Sequence, residues 1–193
     1  MLPYFLALHG DREKRRRATR TGVAAKDLPG DGWQLIDEMC YRSGYITPRW
    51  NSDRARRARR SGEFSYQRSF RSERPHRELI LGLVPYGLPE DAVEALPGMM
   101  SAMISNPRFT GEVVRELENT EFGVDGLSHI FAVERWAVGT PGGPLNTKLV
   151  FGVVDRAVLI VVYGEWGDGV SWADVREVCA LYTRRVGTVI GGA

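Results

Sequence analysis

The chain has 193 residues, 43% of them hydrophobic and 26% charged, which suits one folded domain with an appended segment. The formal net charge is only +2, so total charge alone gives no reason to expect nucleic-acid binding. The charge is, however, segregated: residues 1–75 carry 17 basic and 9 acidic side chains, and residues 76–193 carry 9 and 15.

The first 27 residues hold an apolar run, Leu2–Leu8, followed by basic residues at 12–20. A secretory signal has its basic region first and a longer apolar stretch, so this order does not match one. No other stretch approaches the roughly 20 apolar residues that span a bilayer. A soluble, cytoplasmic protein is therefore expected, or an extracytoplasmic one if translation starts upstream. Residues 11–27 show no hydrophobic periodicity and end in the turn cluster Asp27-Leu28-Pro29-Gly30-Asp31-Gly32. Residues 1–27 thus read as a basic N-terminal arm, and 28–193 as a single domain.

That domain opens with a strand over 33–41. A second strand, 63–71, alternates aromatic and polar residues, placing Phe64, Tyr66 and Phe70 on one face. Between the two lies a long loop carrying Arg54, Arg56, Arg57, Arg59 and Arg60. A third strand, 78–84, ends at Pro85.

The period then changes to that of a helix. Proline and acidic residues at 89–91 suit a first turn, and Val93, Leu96, Met100 and Met103 or Ile104 have helical spacing. Pro97 should kink or divide this helix. Four strand-like segments follow at 112–118, 127–136, 147–154 and 157–163, the last two joined only by Asp155-Arg156 as in a hairpin. A final helix starts after Ser171, an N-cap with an acid three residues on. Its apolar stripe is Val175, Val178, Cys179, Tyr182 and Val186. Arg184 and Arg185 fall in its expected last turn, and Gly187 is its expected end.

The order is βββ-α-ββββ-α. Such short connections require antiparallel pairing, so the expected fold is α+β: an antiparallel sheet of six or seven strands, with two principal helices covering one face.

The entrance Leu28-Pro29-Gly30-Asp31-Gly32-Trp33, the middle helix Pro89–Ile104, Val124-Asp125-Gly126 before a long strand, and Gly164–Arg185 together resemble the PsbP-like fold. Photosystem II extrinsic proteins, the yeast Ran-release factor family and LpqN-type actinobacterial lipoproteins share that fold. The likeness covers roughly residues 28–187 and is one of pattern. It implies a non-enzymatic binding or assembly role. No functional motif of the family matches here, so it lends no site residue. Cys40, within Glu38-Met39-Cys40-Tyr41, does not form a lipobox.

The chemistry-bearing residues form no recognisable set. His9, His76 and His129 have no zinc-type spacing, although His129 could meet Cys40 or Cys179 in space. The two cysteines read as buried thiols; a disulfide between them would close a loop of more than 130 residues and add about 3–5 kcal/mol. Glu116, Glu118 and Glu121 read as a solvated acidic face. Glu165 and Asp168, flanking Trp166 in a glycine-rich loop, read as an ordinary strand-to-helix turn or a cation site. The loop at 139–144 lacks the Lys-Ser/Thr ending of a phosphate loop. No cofactor and no metal are expected.

The sequence therefore points to a non-catalytic domain that engages a protein or acidic ligand, with Arg54, Arg56, Arg57, Arg59 and Arg60 as candidate contact residues. Two alternatives stand beside it: a nucleic-acid or anionic-surface binder using the same arginines, with Phe64, Tyr66 and Phe70 as stacking partners, and an enzyme of unknown class.

Overall fold

The computed structural model describes residues 2–42, 63–104, 112–117, 119–137, 143–167, 169 and 171–191. In chain order they form helix α1 (Leu2–Arg20), a short 3-10 turn at Ala25–Asp27, then strands β1 (Gln34–Arg42), β2 (Phe64–Glu73) and β3 (His76–Pro85). Helix α2 (Pro89–Ile104), strand β4 (Glu112–Leu117) and the one-turn helix α3 (Asn119–Phe122) follow. Strands β5 (Ser128–Ala137), β6 (Leu145–Val154) and β7 (Ala157–Trp166) and helix α4 (Trp172–Ile190) complete the fold.

All seven strands join one sheet in the order β1-β2-β3-β7-β6-β5-β4. Each pairing is antiparallel. The hairpin β6–β7 turns on Asp155 and Arg156, with Asp155 in the left-handed region at φ 51°. Its strands pair from Val154↔Ala157 to Leu145↔Trp166. The fold is thus mixed α+β, with the strand and helix order read from sequence.

The placement of the helices differs from that reading. Leu79, Leu81 and Leu83 of β3, with Leu159, Val161 and Tyr163 of β7, pack beneath Val175, Val178, Cys179, Tyr182 and Val186 of α4. The interleaved Val84, Val158 and Val162, together with Leu149, Phe151 and Val153 of β6, pack beneath Ala92, Ala95, Leu96 and Met99 of α2. Side chains alternate across a strand, so α2 and α4 cover opposite faces. The expectation of two helices on one face is corrected: the central strands are apolar at successive positions, and both sides have to be buried.

Three further corrections concern helices. Residues 2–20 are helical, where the sequence suggested an unpatterned arm, and α1 packs against β1, β2 and α4. Pro97 lies inside α2 and does not divide it, since the helix continues to Ile104. Helix α4 runs past Gly187 to Ile190 because Val186 and Ile190 extend its buried stripe. Gly191 caps it with an N–H donated to the Gly187 carbonyl, so Arg184 and Arg185 do not lie in the last turn. Its start is as expected: the Ser171 side chain accepts the Asp174 N–H at 3.1 Å.

The entrance 28–33 closes one end of the α4-side core. Gly30 and Gly32 hold φ 78° and 80°, conformations that side chains rarely adopt. They fold the chain back so that Leu28 and Trp33 are buried. The Trp33 indole donates to the Pro29 carbonyl at 2.8 Å and meets the Tyr163 ring edge-on at 5.6 Å. The Arg77 guanidinium lies 4.7 Å from its ring centroid.

Gly152 of β6 is the tightest point beneath Leu127. A β-carbon there would sit 2.6 Å from Leu127 Cγ and Cδ1, and Leu127 is itself buried. Gly152→Ala is expected to lower the unfolding free energy by about 1–3 kcal/mol. Adding Leu127→Ala should make room and recover part of that loss, so the double variant will be more stable than the two single effects summed. Urea melts of the three variants measure this.

Candidate functional site

A polar cluster on the α4 side joins β5, β6 and the first turn of α4. Glu134 Oε1 accepts from Asn146 Nδ2 at 2.6 Å and from Lys148 Nζ at 3.0 Å. Its Oε2 accepts from Trp172 Nε1 at 3.1 Å. Lys148 Nζ also donates to Asn146 Oδ1 at 2.8 Å and lies 5.3 Å from the Trp172 ring centroid. Asn146 and Lys148 are buried. Burial alone would raise the Glu134 pKa, but the hydrogen bonds from Asn146, Lys148 and Trp172 and the lysine charge outweigh it and hold the carboxyl below its ordinary 4.5. Both Glu134 oxygens and the lysine are engaged within the protein. The cluster is a buried ion pair that locks α4 onto β5 and β6.

The histidines and cysteines do not assemble into a catalytic group. His76 stacks on Trp166, rings 4.1 Å apart and 16° from parallel. His129 is exposed in the left-handed region at φ 48°, at an irregularity between Ser128 and Phe131. It lines an open depression with Asp125 and Ser128, but the Ser128 hydroxyl donates to the Val153 carbonyl at 3.2 Å. Cys40 and Cys179 are free thiols. Burial raises the pKa of both, most strongly for Cys179, which sits wholly inside the apolar α4 side. Among the described residues no group of three His, Cys, Asp or Glu side chains is placed to hold a metal ion. Glu116 and Glu121 are exposed, as expected for a solvated face. Glu118, Asp168 and residues 138–142 of the glycine-proline loop lie outside the described residues.

The aromatic residues near the arginines turn inward. Tyr66 and Phe70 are each 1% exposed, and Phe64 is half-buried, which removes the stacking platform a single-strand binder would use.

Helix α1 supplies what the sequence reading missed. Its inward positions are Asp11, Lys14, Arg17, Ala18 and then Thr21, with Ala18 and Thr21 buried. Asp11 pairs with Arg42 at the end of β1. Arg17 pairs with Glu63, just before β2, at 3.2 Å to both carboxylate oxygens. Arg156 of the β6–β7 turn approaches the same carboxylate at 3.5 Å. The chain leaving α1 is held down by Arg68, which donates to the Val23 carbonyl at 2.6 Å and to Glu38 at 3.3 Å; the Tyr66 hydroxyl donates to the same Glu38 oxygen. These bonds hold the Glu38 pKa below 4.5, the tyrosine hydrogen bond first among them, against the opposing effect of burial.

The outward face of α1 carries Arg12, Arg15, Arg16 and Arg20, all exposed. Their spacing of three and four puts them on one stripe, where Arg16 also pairs with Glu13 at 3.7 Å and Arg15 reaches the Cys40 thiol. Beside them runs β1, an edge strand. Of the five large hydrophobic side chains exposed among the described residues, Leu35, Ile36 and Met39 all belong to β1, at 44%, 51% and 36% exposure. Leu35 pairs with Phe70 on the face that α1 covers, whereas Met39 pairs with Gln67 on the opposite face, so the candidate contact surface is the basic outer face of α1. Arg54, Arg56, Arg57, Arg59 and Arg60 lie outside the described residues. The residues bordering that segment, Arg42 and Glu63, both pair with α1.

No family model matches the chain, and no curated protein matches it. Among solved structures, the chain is similar to the extracellular domain of PknH from Mycobacterium tuberculosis. The TM-score is 0.58 at 8% identity, over 91% of this chain and 95% of that one. At that identity the likeness is one of fold. No described helix is long and apolar enough to cross a membrane.

Lys148→Met leaves the Glu134 carboxylate without its cation and should cost about 3 kcal/mol or more, measured by denaturant melts. Because the folded-state pKa of Glu134 is depressed, its contribution is complete above the unfolded value near 4.5 and is lost as pH falls through the folded value. Glu134→Gln should therefore weaken stability at neutral pH, and its gap from the wild type should close on acidification through that window.

Proposed function

We propose that the protein is a non-catalytic binding domain that engages an acidic partner through the outer face of α1. The observation that carries this reading is the stripe of Arg12, Arg15, Arg16 and Arg20, exposed on a helix whose inner face is pinned by the Asp11–Arg42 and Arg17–Glu63 pairs. Long flexible cations gain affinity when their backbone is already fixed, because less ordering remains to be done on binding. Arg54, Arg56, Arg57, Arg59 and Arg60 are a second part of this proposed contact, since their segment departs from and returns to residues paired with α1.

The PsbP-like resemblance belongs to the same reading: an antiparallel sheet with flanking helices and polar clusters satisfied from within suits a binding or assembly domain. The extracellular placement of the structural neighbour supports an extracytoplasmic location over a cytoplasmic one. Tyr66 and Phe70, buried in the sheet, favour an acidic protein or surface over single-stranded nucleic acid.

Heparin, a polyanion, is a simple probe. The wild-type chain should be retained on immobilised heparin and elute with added salt, as expected for exposed charges screened beyond about 10 Å at 0.1 M. The variant Arg12→Ser/Arg15→Ser/Arg16→Ser/Arg20→Ser should elute at clearly lower salt with an unchanged melting temperature. Equal elution of the two proteins would remove α1 from the contact.

A further inference from the structure

We infer that α1 is an electrostatic latch, which swings off β1 and β2 while the sheet and α4 stay folded. The way α1 is held does not depend on what its outer face binds. The other two long helices are attached by apolar stripes. Helix α4 buries Val175, Val178, Cys179, Tyr182, Val186 and Ile190, and α2 buries Ala92, Ala95, Leu96 and Met99. From Asp11 to Arg20, α1 buries only Ala18. Around that alanine lie polar attachments: Asp11 to Arg42, Arg17 to Glu63, and Arg15 to the Cys40 thiol. Partly exposed ion pairs weaken with salt, and apolar burial does not.

The latch has a fixed pivot. Thr21 and Gly22 donate their N–H groups to the Ala18 and Thr19 carbonyls at 3.1 and 3.2 Å, so the helix closes its own last turn. From Val23 onward the attachment changes in kind. Val23, Leu28 and Trp33 are buried in the α4-side core, and Arg68 holds the Val23 carbonyl at 2.6 Å. Gly22 passes so close to the sheet that a β-carbon there would lie 2.6 Å from the Tyr66 hydroxyl oxygen. Opening strands no buried charge: Arg42 is exposed, and the buried Glu63 keeps Arg156 at 3.5 Å. Elements held this weakly open locally while the core stays closed. Opening bares Cys40, which pairs with Tyr66 on the face that α1 covers, and releases Arg17 to add its charge to the basic surface of the helix.

The test follows α1 and the core separately in the full chain. Hydrogen exchange read by mass spectrometry compares the amides of residues 11–20 with those of α4. Iodoacetamide labelling compares Cys40 with Cys179, whose complete burial makes it the marker of global unfolding. Burial is the largest influence raising the Cys40 pKa, ahead of the opposing Arg15 charge, so opening makes this thiol more reactive. Raising salt from about 0.05 M to about 0.5 M should speed α1 exchange and Cys40 labelling about 3-fold. Asp11→Asn/Arg17→Gln leaves every sheet residue in place and removes two pairs that each favour closure a few-fold. It should speed both readouts about 5-fold at low salt, with little further response to added salt. Exchange of the α4 amides and labelling of Cys179 should stay at wild-type rates throughout.

If either α1 exchange or Cys40 labelling ignores both salt and the double variant, something other than these pairs holds the helix, and the latch is overturned. Cys179 labelled in step with Cys40 overturns it too, because the molecule then opens as a whole. Arg12→Ser/Arg20→Ser changes the outer face alone and should leave both readouts unchanged. Opening by that variant as large as by Asp11→Asn/Arg17→Gln would mean that the charge of the helix in general governs its position, which also removes the latch.

Discussion

Strands β3, β7 and β6 are apolar at successive positions, and a sheet built from them has to be covered on both faces. Leu79, Leu81, Leu159 and Val161 look one way, and Val84, Val158, Val162 and Leu149 the other. Burying a large aliphatic side chain stabilises by about 1.5–3 kcal/mol relative to leaving it in water, so neither face could be left bare. The chain meets this demand with two helices entering from different points. Helix α2, after β3, serves one face, and α4, after β7, serves the other. Everything else in the molecule is arranged around the strips that α2 and α4 leave open.

One such strip lies over β1 and β2, on the side of α4. Here α1 and the chain that follows it complete the cover, by a different kind of packing. The inward face of α1 offers Ala18 and Thr21, together with ion pairs at Asp11 and Arg17. Surface ion pairs contribute little each, but these two are spaced along one helix and bind it to the two ends of neighbouring strands. They fix orientation more than they add stability. At the far side of the same face the Glu134–Lys148 pair has a comparable role, with a larger penalty for disruption because the lysine is buried. The face is thus apolar at its centre and held by charge at both flanks.

Much of this architecture was legible in the sequence. The alternation of Phe64, Tyr66 and Phe70 marked β2, Ser171 marked the start of α4, and the Asp155-Arg156 link marked the hairpin. The two-sided burial was also written there: Leu79-Ile80-Leu81 and Val158 to Val162 are apolar without alternation, the pattern of strands covered on both faces. Reading them only as strands lost that information. Helix α1 was harder for a physical reason. Periodicity searches look for apolar stripes, and the buried stripe of α1 consists of Asp11, Arg17, Ala18 and Thr21. Its inward and outward faces are both basic, and only contacts distant in sequence distinguish them. The same cause hid the candidate surface, because Arg12, Arg15, Arg16 and Arg20 look no different in sequence from Arg17.

The charge segregation along the chain becomes, in three dimensions, a segregation across the sheet. Antiparallel pairing in the order β1-β2-β3-β7-β6-β5-β4 sends the first strand and the fourth to opposite edges, so the basic front of the sequence and one of its acidic stretches end at maximal separation. A folded domain keeps such a separation only where the two groups gain nothing from meeting. Here Arg17 of α1 is paired with Glu63 and Arg68 of β2 with Glu38, while on the outer face of α1 Arg16 pairs with Glu13 and Arg12 and Arg20 are exposed. Edge strands are usually guarded by charge or by a bulge. β1 has both, with Asp37 and Glu38 on the strand and a register shift between Leu35 and Asp37, yet it still exposes more large apolar side chains than any other described strand.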